Sequence, residues 1–157
     1  MWKESEECIQ AMVDSEIDYT LLDEVSANKL KETIYSRFTK DTSYQYPLWE
    51  QLAAFRSVIF DFAWEWYSEL LRNTKVIVFF EEANDKSAFV LNDGGVIPEI
   101  MNECPAMTFY VTNESADFLY AFHSDHSILR VSGNAQGKLE RYIRDNNINV
   151  QVHQSKQ

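Results

Sequence analysis

The chain has 157 residues, of which 45% are hydrophobic and 14% aromatic, so its apolar surface suffices for one conventional core and excludes an intrinsically disordered chain. Its 25 acidic side chains outnumber its 14 lysines and arginines, and the net charge of -11 repels nucleic acid and anionic membrane surfaces. We therefore expect a single folded domain over residues 1–157 that binds neither nucleic acid nor a membrane.

The two cysteines, Cys8 and Cys104, are far apart in the sequence, and no CxxC motif or Cys/His cluster accompanies them. This pattern indicates reduced thiols rather than a zinc site or a disulfide framework. The first residues, MWKESEEC, are acidic where a signal peptide requires positive charge followed by an apolar run. No window approaches the roughly 18 apolar residues of a membrane span. We predict a cytoplasmic protein without a cofactor.

Apolar spacing predicts two amphipathic helices near the N-terminus. The first covers residues 4–17, and its apolar stripe consists of Ile9, Met12, Val13 and Ile17. In the second, Ser26 is expected to cap the N-terminus, and the helix is expected to end near Lys40. Its apolar face consists of Leu30, Ile34 and Phe38.

Acidic residues are concentrated at the start of the chain, where the first 25 residues contain eight acids and one lysine. Such a field steers basic partners towards the protein, and added salt weakens the effect. We therefore predict a basic protein partner, with Asp14, Glu16 and Asp18 among the candidate binding residues. The alternative is a solvated helix face that only aids solubility.

Residues 42–72 combine a connector, an ambiguous segment and a helix. The stretch 42–47 (TSYQYP) favours a turn, because the residue before a proline avoids the helical region. Residues 48–60 fit both a helical period and a strand, and the sequence leaves that choice open. Asp61 is expected to cap a helix that ends near Arg72. The residues that this helix is expected to bury are Ala63, Trp66, Tyr67 and Leu70.

Aromatic residues are unusually dense in the same region. The run FDFAWEWY, residues 60–67, places rings on every side of a helix, so that some rings are exposed or bury against another molecule. Acids among the rings suit a protein interface, where aromatic side chains supply much of the binding energy. Trp64, Glu65 and Glu69 are the candidate binding residues of this segment. The alternatives are a broad core covered from both sides and a homodimer interface.

The second half of the chain predicts a sheet. Residues 75–81 (KVIVFFE) have the composition of a central strand covered on both faces, and SAFVL is its hairpin partner, followed by a NDGG turn whose glycines accept positive φ. Pro98 suits the first turn of a short helix. A three-strand meander follows over residues 106–133, with strands TFYVT, DFLYAF and ILRVS. A helix around Leu139, Tyr142 and Ile143 then precedes INVQV, a predicted edge strand.

The turn between the last two meander strands holds His123, Asp125 and His126 in one neighbourhood. Imidazole nitrogens and carboxylate oxygens are both metal ligands and bases, so this turn is a candidate metal site or acid/base centre. The sequence identifies no further ligand. The alternative is a polar turn with solvent-exposed histidines.

Three acids, Glu81, Glu82 and Asp85, follow the predicted central strand. Neighbouring carboxylates do acid/base work only where burial or mutual repulsion separates their pKa values. Loop acids that face water are the more common arrangement. The chain also lacks a phosphate-binding glycine loop and a nucleophile-elbow motif.

Five segments within residues 47–133 are similar to segments of a known protein family. They are PLWEQL, FDFAWEWYSELL, VIVFFEE, SAFVLNDGGVIPEIM and TFYVTNESADFLYAFHSDHSILRVSG. Together they resemble an uncharacterised family of small acidic bacterial domains, of the kind found as immunity-like proteins beside toxin genes. The resemblance implies a domain of unknown activity that is associated with toxin neutralisation. It assigns no metal or catalytic role to the HSDH turn.

These observations predict an α+β domain with an antiparallel sheet of five to six strands, including the C-terminal meander, packed against N-terminal and C-terminal helices. Residues 1–72 are expected to be mainly helical, and residues 73–152 mainly sheet with two short helices. The favoured function is a non-catalytic, immunity- or antitoxin-like protein that binds a basic partner through acidic and aromatic residues. The alternative is a metal-dependent or acid/base enzyme centred on the His123-Asp125-His126 turn.

Overall fold

The computed structural model describes residues 3–40, 47–81 and 85–155, which form one eight-stranded sheet with helices on both faces. The α-helices are α1 (Glu4–Asp14), α2 (Glu24–Phe38), α3 (Tyr67–Leu70), α4 (Ile97–Asn102) and α5 (Gln136–Asp145). The strands are β1 (Thr20–Leu21), β2 (Arg56–Ile59), β3 (Val76–Phe79), β4 (Ala88–Leu91), β5 (Phe109–Thr112), β6 (Phe118–His123), β7 (Ile128–Gly133) and β8 (His153–Gln154). Short 3-10 helices span Leu48–Glu50, Ala63–Trp66, Gly94–Val96 and Ser124–His126.

Neighbouring strands of the sheet are antiparallel, in the order β1-β4-β3-β5-β6-β7-β2-β8. The predicted hairpin of β3 and β4 and the predicted meander of β5, β6 and β7 are both confirmed. Pairing of β3 with β5 joins them into one sheet. The antiparallel α+β prediction is therefore confirmed, whereas the predicted total of five to six strands is wrong.

The additional strands come from the N-terminal half and lie near the two edges of the sheet. β1 has two residues, both exposed, and it is defined by backbone pairing with β4. β2 lies between β7 and β8, which settles the ambiguous segment 48–60 as a 3-10 turn followed by a strand. Residues 148–152 (INVQV), the predicted edge strand, form no strand, and the edge strand β8 begins at the next residue. The described part of residues 1–72 thus contains two strands besides its helices, because long-range pairing overrides a weak local pattern.

The sheet is covered on both faces, because alternate side chains of a strand point to opposite sides. One face packs against α1, α3, α4 and α5. The largest side chains buried between them include Tyr67 from α3 and Phe109 and Tyr120 from the sheet. The other face packs against α2 and the turn Leu48–Glu50. All four residues of β3 are buried, which confirms the prediction of a strand covered on both faces.

The two N-terminal helices exist as predicted, with corrections in detail. Asp23 caps α2, and its Oδ1 accepts the backbone N–H of Ser26 at 2.8 Å, so the prediction that Ser26 is the cap is wrong. The predicted apolar face of α2 is buried. In α1 the buried apolar residues are Cys8, Ala11 and Met12, whereas Val13 is exposed, which turns the stripe away from its predicted position.

The helix predicted from Asp61 to Arg72 is divided into the 3-10 turn Ala63–Trp66 and a single turn of α-helix, α3. Phe62 occupies the N-cap position with φ 59°, and the Asp61 carboxylate accepts the Ser127 hydroxyl at 2.6 Å instead of capping a helix. All four residues expected to face the core are buried. Of the predicted connector 42–47, only Pro47 lies within the described residues, and its backbone is extended.

Two glycines make close backbone approaches possible. Gly94, in a 3-10 turn rather than the predicted positive-φ turn, would place an added Cβ 2.7 Å from the Leu71 Cβ. Gly133 ends β7 with φ 78°, and an added Cβ would lie 2.4 Å from the Asp117 carbonyl oxygen. The second position therefore requires glycine for both conformation and space.

Candidate functional site

Large apolar side chains are exposed where β2 ends and the chain turns towards α3. Ile59 is 64% exposed, Phe60 38% and Phe62 60%. Trp64 is half-buried, and its ring meets that of Phe62 edge-on with 5.9 Å between the centroids. We call Ile59, Phe60, Phe62 and Trp64 the exposed corner. Clustered exposed apolar side chains, unlike single ones, mark interaction sites.

Hydrogen bonds connect the segment of the exposed corner to the turn between β6 and β7. The Phe60 N–H donates to the Ser127 carbonyl at 3.0 Å, and the Ser127 hydroxyl donates to Asp61. Phe60 also packs against Trp66 with 4.9 Å between the ring centroids. Phe62 has left-handed dihedral angles, which cost roughly 1–2 kcal/mol for a residue with a Cβ. The surrounding contacts thus hold an exposed aromatic residue in a strained conformation.

A pocket of about 310 Å³ opens beside the exposed corner. Three parts of the chain line it: the exposed corner, the segment around the end of α4, and the sheet. The lining residues include Asp61, Phe62, Trp64, Glu65, Met101, Asn102, Cys104, Met107, Phe109 and Phe122. Phe109 and Phe122 are paired across β5 and β6 and are buried. The pocket therefore has an apolar base supplied by the sheet.

Carboxylates accompany these apolar walls. Asp61 and Glu65 both line the pocket and both are exposed, whereas no lysine or arginine of the described residues lines it. Two methionines, Met101 and Met107, contribute flexible thioether side chains that adapt to an entering group. The arrangement suits a ligand group with a long apolar stem and a positive end.

The structure separates the predicted binding residues. Trp64 and Glu65 lie at the pocket, whereas Glu69 is on α3 and faces Arg72 at 4.0 Å. The other three predicted residues are Asp14, Glu16 and Asp18, which are exposed, precede the edge strand β1 and do not line the pocket. Asp61 and Phe62 belong to the aromatic and acidic run that the sequence assigned to an interface, but they were not among the predicted binding residues, since no local pattern predicts a left-handed aromatic residue.

The predicted HSDH turn is a 3-10 turn, Ser124–His126, that follows β6. The His123 ring stacks on Trp49 with 4.3 Å between centroids, and its Nδ1 lies 2.9 Å from the Thr108 hydroxyl. The His123 and His126 rings are 5.0 Å apart, and Asp125 is exposed. The sequence therefore brings these side chains into one neighbourhood, but His123 is engaged by an aromatic ring and a hydroxyl.

Two observations concern whether the HSDH turn can bind a metal ion. Burial lowers the pKa of His123, and the Asp125 charge opposes the shift. Within residues 3–40, 47–81 and 85–155, no group of three or more His, Cys, Asp or Glu side chains is arranged to hold a metal ion. Metal binding or acid/base chemistry at His123, Asp125 and His126 stays a prediction.

Arg130 forms the other side of this cluster. Its guanidinium carbon lies 4.9 Å from the centroid of Trp49 and 4.4 Å from that of Phe55, and its Nη1 donates to the Trp49 carbonyl at 2.7 Å. Burial lowers the pKa of this guanidinium. Through these contacts Arg130 holds the turn Leu48–Glu50 against the sheet. The sequence did not indicate this structural role of Arg130.

The acids predicted after the central strand have different environments. Burial raises the pKa of Glu81 to about 7, although the Leu48 N–H donates to its carboxylate at 3.0 Å. Tyr110 also donates a hydrogen bond to this carboxylate. The pKa of Asp85 is lowered, because hydrogen bonds from Ser5 and Ser87 outweigh the effect of its burial. Glu82 lies outside the described residues.

Comparison of the chain with protein-family models, with curated proteins and with solved structures finds no match. In the described part of the chain, none of the helices has the length and apolar character needed to cross a membrane.

Proposed function

We propose that this protein is a non-catalytic binding protein whose exposed corner and adjoining pocket engage a basic protein partner. The observation that carries the proposal is Phe62, which is 60% exposed and left-handed at the edge of a pocket lined by Asp61 and Glu65. Strained, exposed aromatic residues are uncommon, and they concentrate at functional sites.

Phe62 gains little from its own fold in return for its backbone strain. A backbone strain of roughly 1–2 kcal/mol is ordinarily offset by burial of the side chain. The Phe62 ring stays largely in solvent and meets the half-buried Trp64 ring edge-on. A partner that covers both rings supplies the missing apolar contact, and aromatic side chains of this kind dominate binding energies at protein interfaces.

The charge of the partner follows from the pocket and from the whole molecule. Asp61 and Glu65 place two carboxylates beside the rings of Phe62 and Trp64. A lysine or arginine side chain would lay its apolar stem along Met101 and Met107 and direct its positive end towards these groups. The net charge of -11 would speed the approach of such a partner.

An immunity-type role is one form of this proposal. A protein that neutralises a toxin by covering a basic surface requires acidic groups for steering and aromatic groups for stable contact. The resemblance of residues 47–133 to immunity-like domains supports this form. The acids Asp14, Glu16 and Asp18 would then contribute to long-range steering, because they do not line the pocket.

The test is a titration of ¹⁵N-labelled protein with a soluble peptide of alternating glycine and arginine, compared with the same peptide carrying neutral citrulline. We expect the arginine peptide alone to shift the resonances of the exposed corner, including the Trp64 indole. Phe62→Ala should weaken binding about fivefold, as a cation–π contact of roughly 1 kcal/mol requires. Glu65→Gln should also weaken it and reduce its dependence on salt.

Matched variants separate a specific site from general attraction to an acidic protein. Val25→Ala truncates an even more exposed apolar side chain on α2, and Glu32→Gln removes an exposed acid of the same helix. Equal losses in Phe62→Ala and Val25→Ala would overturn the proposal. So would a dimer that Phe62→Ala converts to a monomer in sedimentation, since the corner would then be a contact between copies.

A further inference from the structure

The fold brings together the only two cysteines of the sequence. Cys8 lies on the buried side of α1 and is 0% exposed, and Cys104 lies just beyond the end of α4 and is half-buried. Because α1 packs against α4, the two side chains belong to the same core cluster although 95 residues separate them in the chain. The sequence spacing gave no indication of this pairing.

The two thiols differ in their access to solvent. The Cys8 sulfur is enclosed and lies 4.0 Å from the Met107 Sδ. Cys104 lines the pocket beside the exposed corner, together with Met107. A small reagent in solvent therefore reaches Cys104 through the pocket, whereas it reaches Cys8 only past Cys104 or after the helix moves.

The electrostatic surroundings give the two thiols different acidities. A hydrogen bond with Cys8 lowers the pKa of Cys104, against opposing effects of burial and of the charges of Glu7 and Glu103. The same hydrogen bond, together with burial, raises the pKa of Cys8. The thiolate is the reactive form of cysteine, so the more accessible sulfur is also the more nucleophilic one.

We propose that Cys104 is an oxidation site that reacts with hydrogen peroxide through the pocket, and that Cys8 converts the product to an intramolecular disulfide. This proposal does not rest on the proposed binding function. In the first step the Cys104 thiolate attacks one peroxide oxygen, the O–O bond breaks, and hydroxide leaves and takes a proton to become water. Cys104 is thereby oxidised to a sulfenic acid, and the peroxide is reduced.

In the second step the Cys8 sulfur attacks the Cys104 sulfur, and the Cys8 thiol proton passes to the leaving oxygen. The S–O bond of the sulfenic acid breaks, and hydroxide leaves and is protonated to a second water. The disulfide joins α1 to the segment that follows α4, and that segment lines the pocket. A thiol reductant such as dithiothreitol reverses the reaction.

The test is treatment of the folded, full-length protein with hydrogen peroxide, followed by intact mass measurement and non-reducing peptide mapping. We expect the loss of two hydrogen atoms and a single linked peptide pair containing Cys8 and Cys104. In Cys8→Ala, dimedone should trap the sulfenic acid on Cys104. In Cys104→Ala, Cys8 should remain unmodified while the protein is folded, as circular dichroism monitors.

The relative reactivity of the two thiols is a second, independent measurement. Iodoacetamide should alkylate Cys104 at least about tenfold faster than Cys8 in the native protein, and equally fast in urea. Faster alkylation of Cys8 or a disulfide between two molecules would overturn the proposal. So would reduced thiols after peroxide exposure that fully oxidises free glutathione, because Cys104 would then be an inert packing residue.

Discussion

The buried carboxyl of Glu81 is expected to make the protein less stable as the pH rises towards neutrality. Burial raises its pKa from 4.5 to about 7, with smaller contributions from the charges of Glu4 and Glu50. The folded state therefore holds its proton where the unfolded chain has lost it. The stabilising contribution is complete below the unfolded pKa of 4.5 and is lost as the pH rises through about 7.

The magnitude follows from the size of the shift. One pKa unit corresponds to about 1.4 kcal/mol, so the change from 4.5 to about 7 allows at most about 3 kcal/mol in the free energy of unfolding. Glu81→Gln keeps a carbonyl oxygen for the Leu48 N–H and the Tyr110 hydroxyl and removes the charge. We expect the variant to equal the wild type near about pH 4 and to exceed it by up to about 3 kcal/mol near about pH 8.

Urea unfolding followed by tryptophan fluorescence across this pH range measures the effect. Glu32→Gln, at an exposed position of α2, is the matched control and should leave the pH dependence unchanged. If Glu81→Gln keeps the wild-type slope, or lowers stability at high pH, the reasoning is refuted. The hydrogen bonds from Leu48 and Tyr110 would then hold Glu81 in its charged form despite burial.

Three further predictions concern single positions. Gly133→Ala should lower the free energy of unfolding by at least about 2 kcal/mol, because φ is 78° and the added Cβ would meet the Asp117 carbonyl; an unchanged thermal midpoint would contradict this. Phe62→Gly should leave stability unchanged or raise it by up to about 1 kcal/mol in urea unfolding, since it relieves the left-handed strain of an exposed residue. A clear loss would show that the ring contributes to the core. His123 should titrate below its ordinary pKa of 6.5 in NMR, because it is buried against Trp49, and Asp125→Asn should lower that pKa further. A wild-type pKa above 6.5 would mean that the Asp125 charge outweighs burial.

Part of the candidate site, the exposed corner, could be predicted from the sequence. The density of rings in residues 60–67 predicted that some aromatic side chains are exposed, and the exposures of Phe60 and Phe62 confirm this. Trp64 and Glu65 were predicted as binding residues and both line the pocket. The sequence could not predict the pocket itself, because the residues of its other wall, which include Met101 and Met107, lie almost 40 residues further along the chain.

Local chemistry by itself determined the elements with a strong pattern. The unbroken apolar run of β3, the short strands and short turns of the meander, and the apolar spacing of α5 each depend on neighbouring residues. The predicted neighbourhood of His123 and His126 follows from a short turn in the same way. These features were therefore visible in the sequence.

Only the tertiary structure decided the features that depend on pairing between distant segments. The insertion of β2 between β7 and β8, the hydrogen bond of Ser127 to Asp61 beside the left-handed Phe62, and the meeting of Cys8 with Cys104 all require closure of long loops. Burial of Glu81, which changes its pKa, is likewise set by packing. Local propensity carries no information about such contacts, because their free energy arises from burial and strand pairing between parts of the chain that meet only in the folded state.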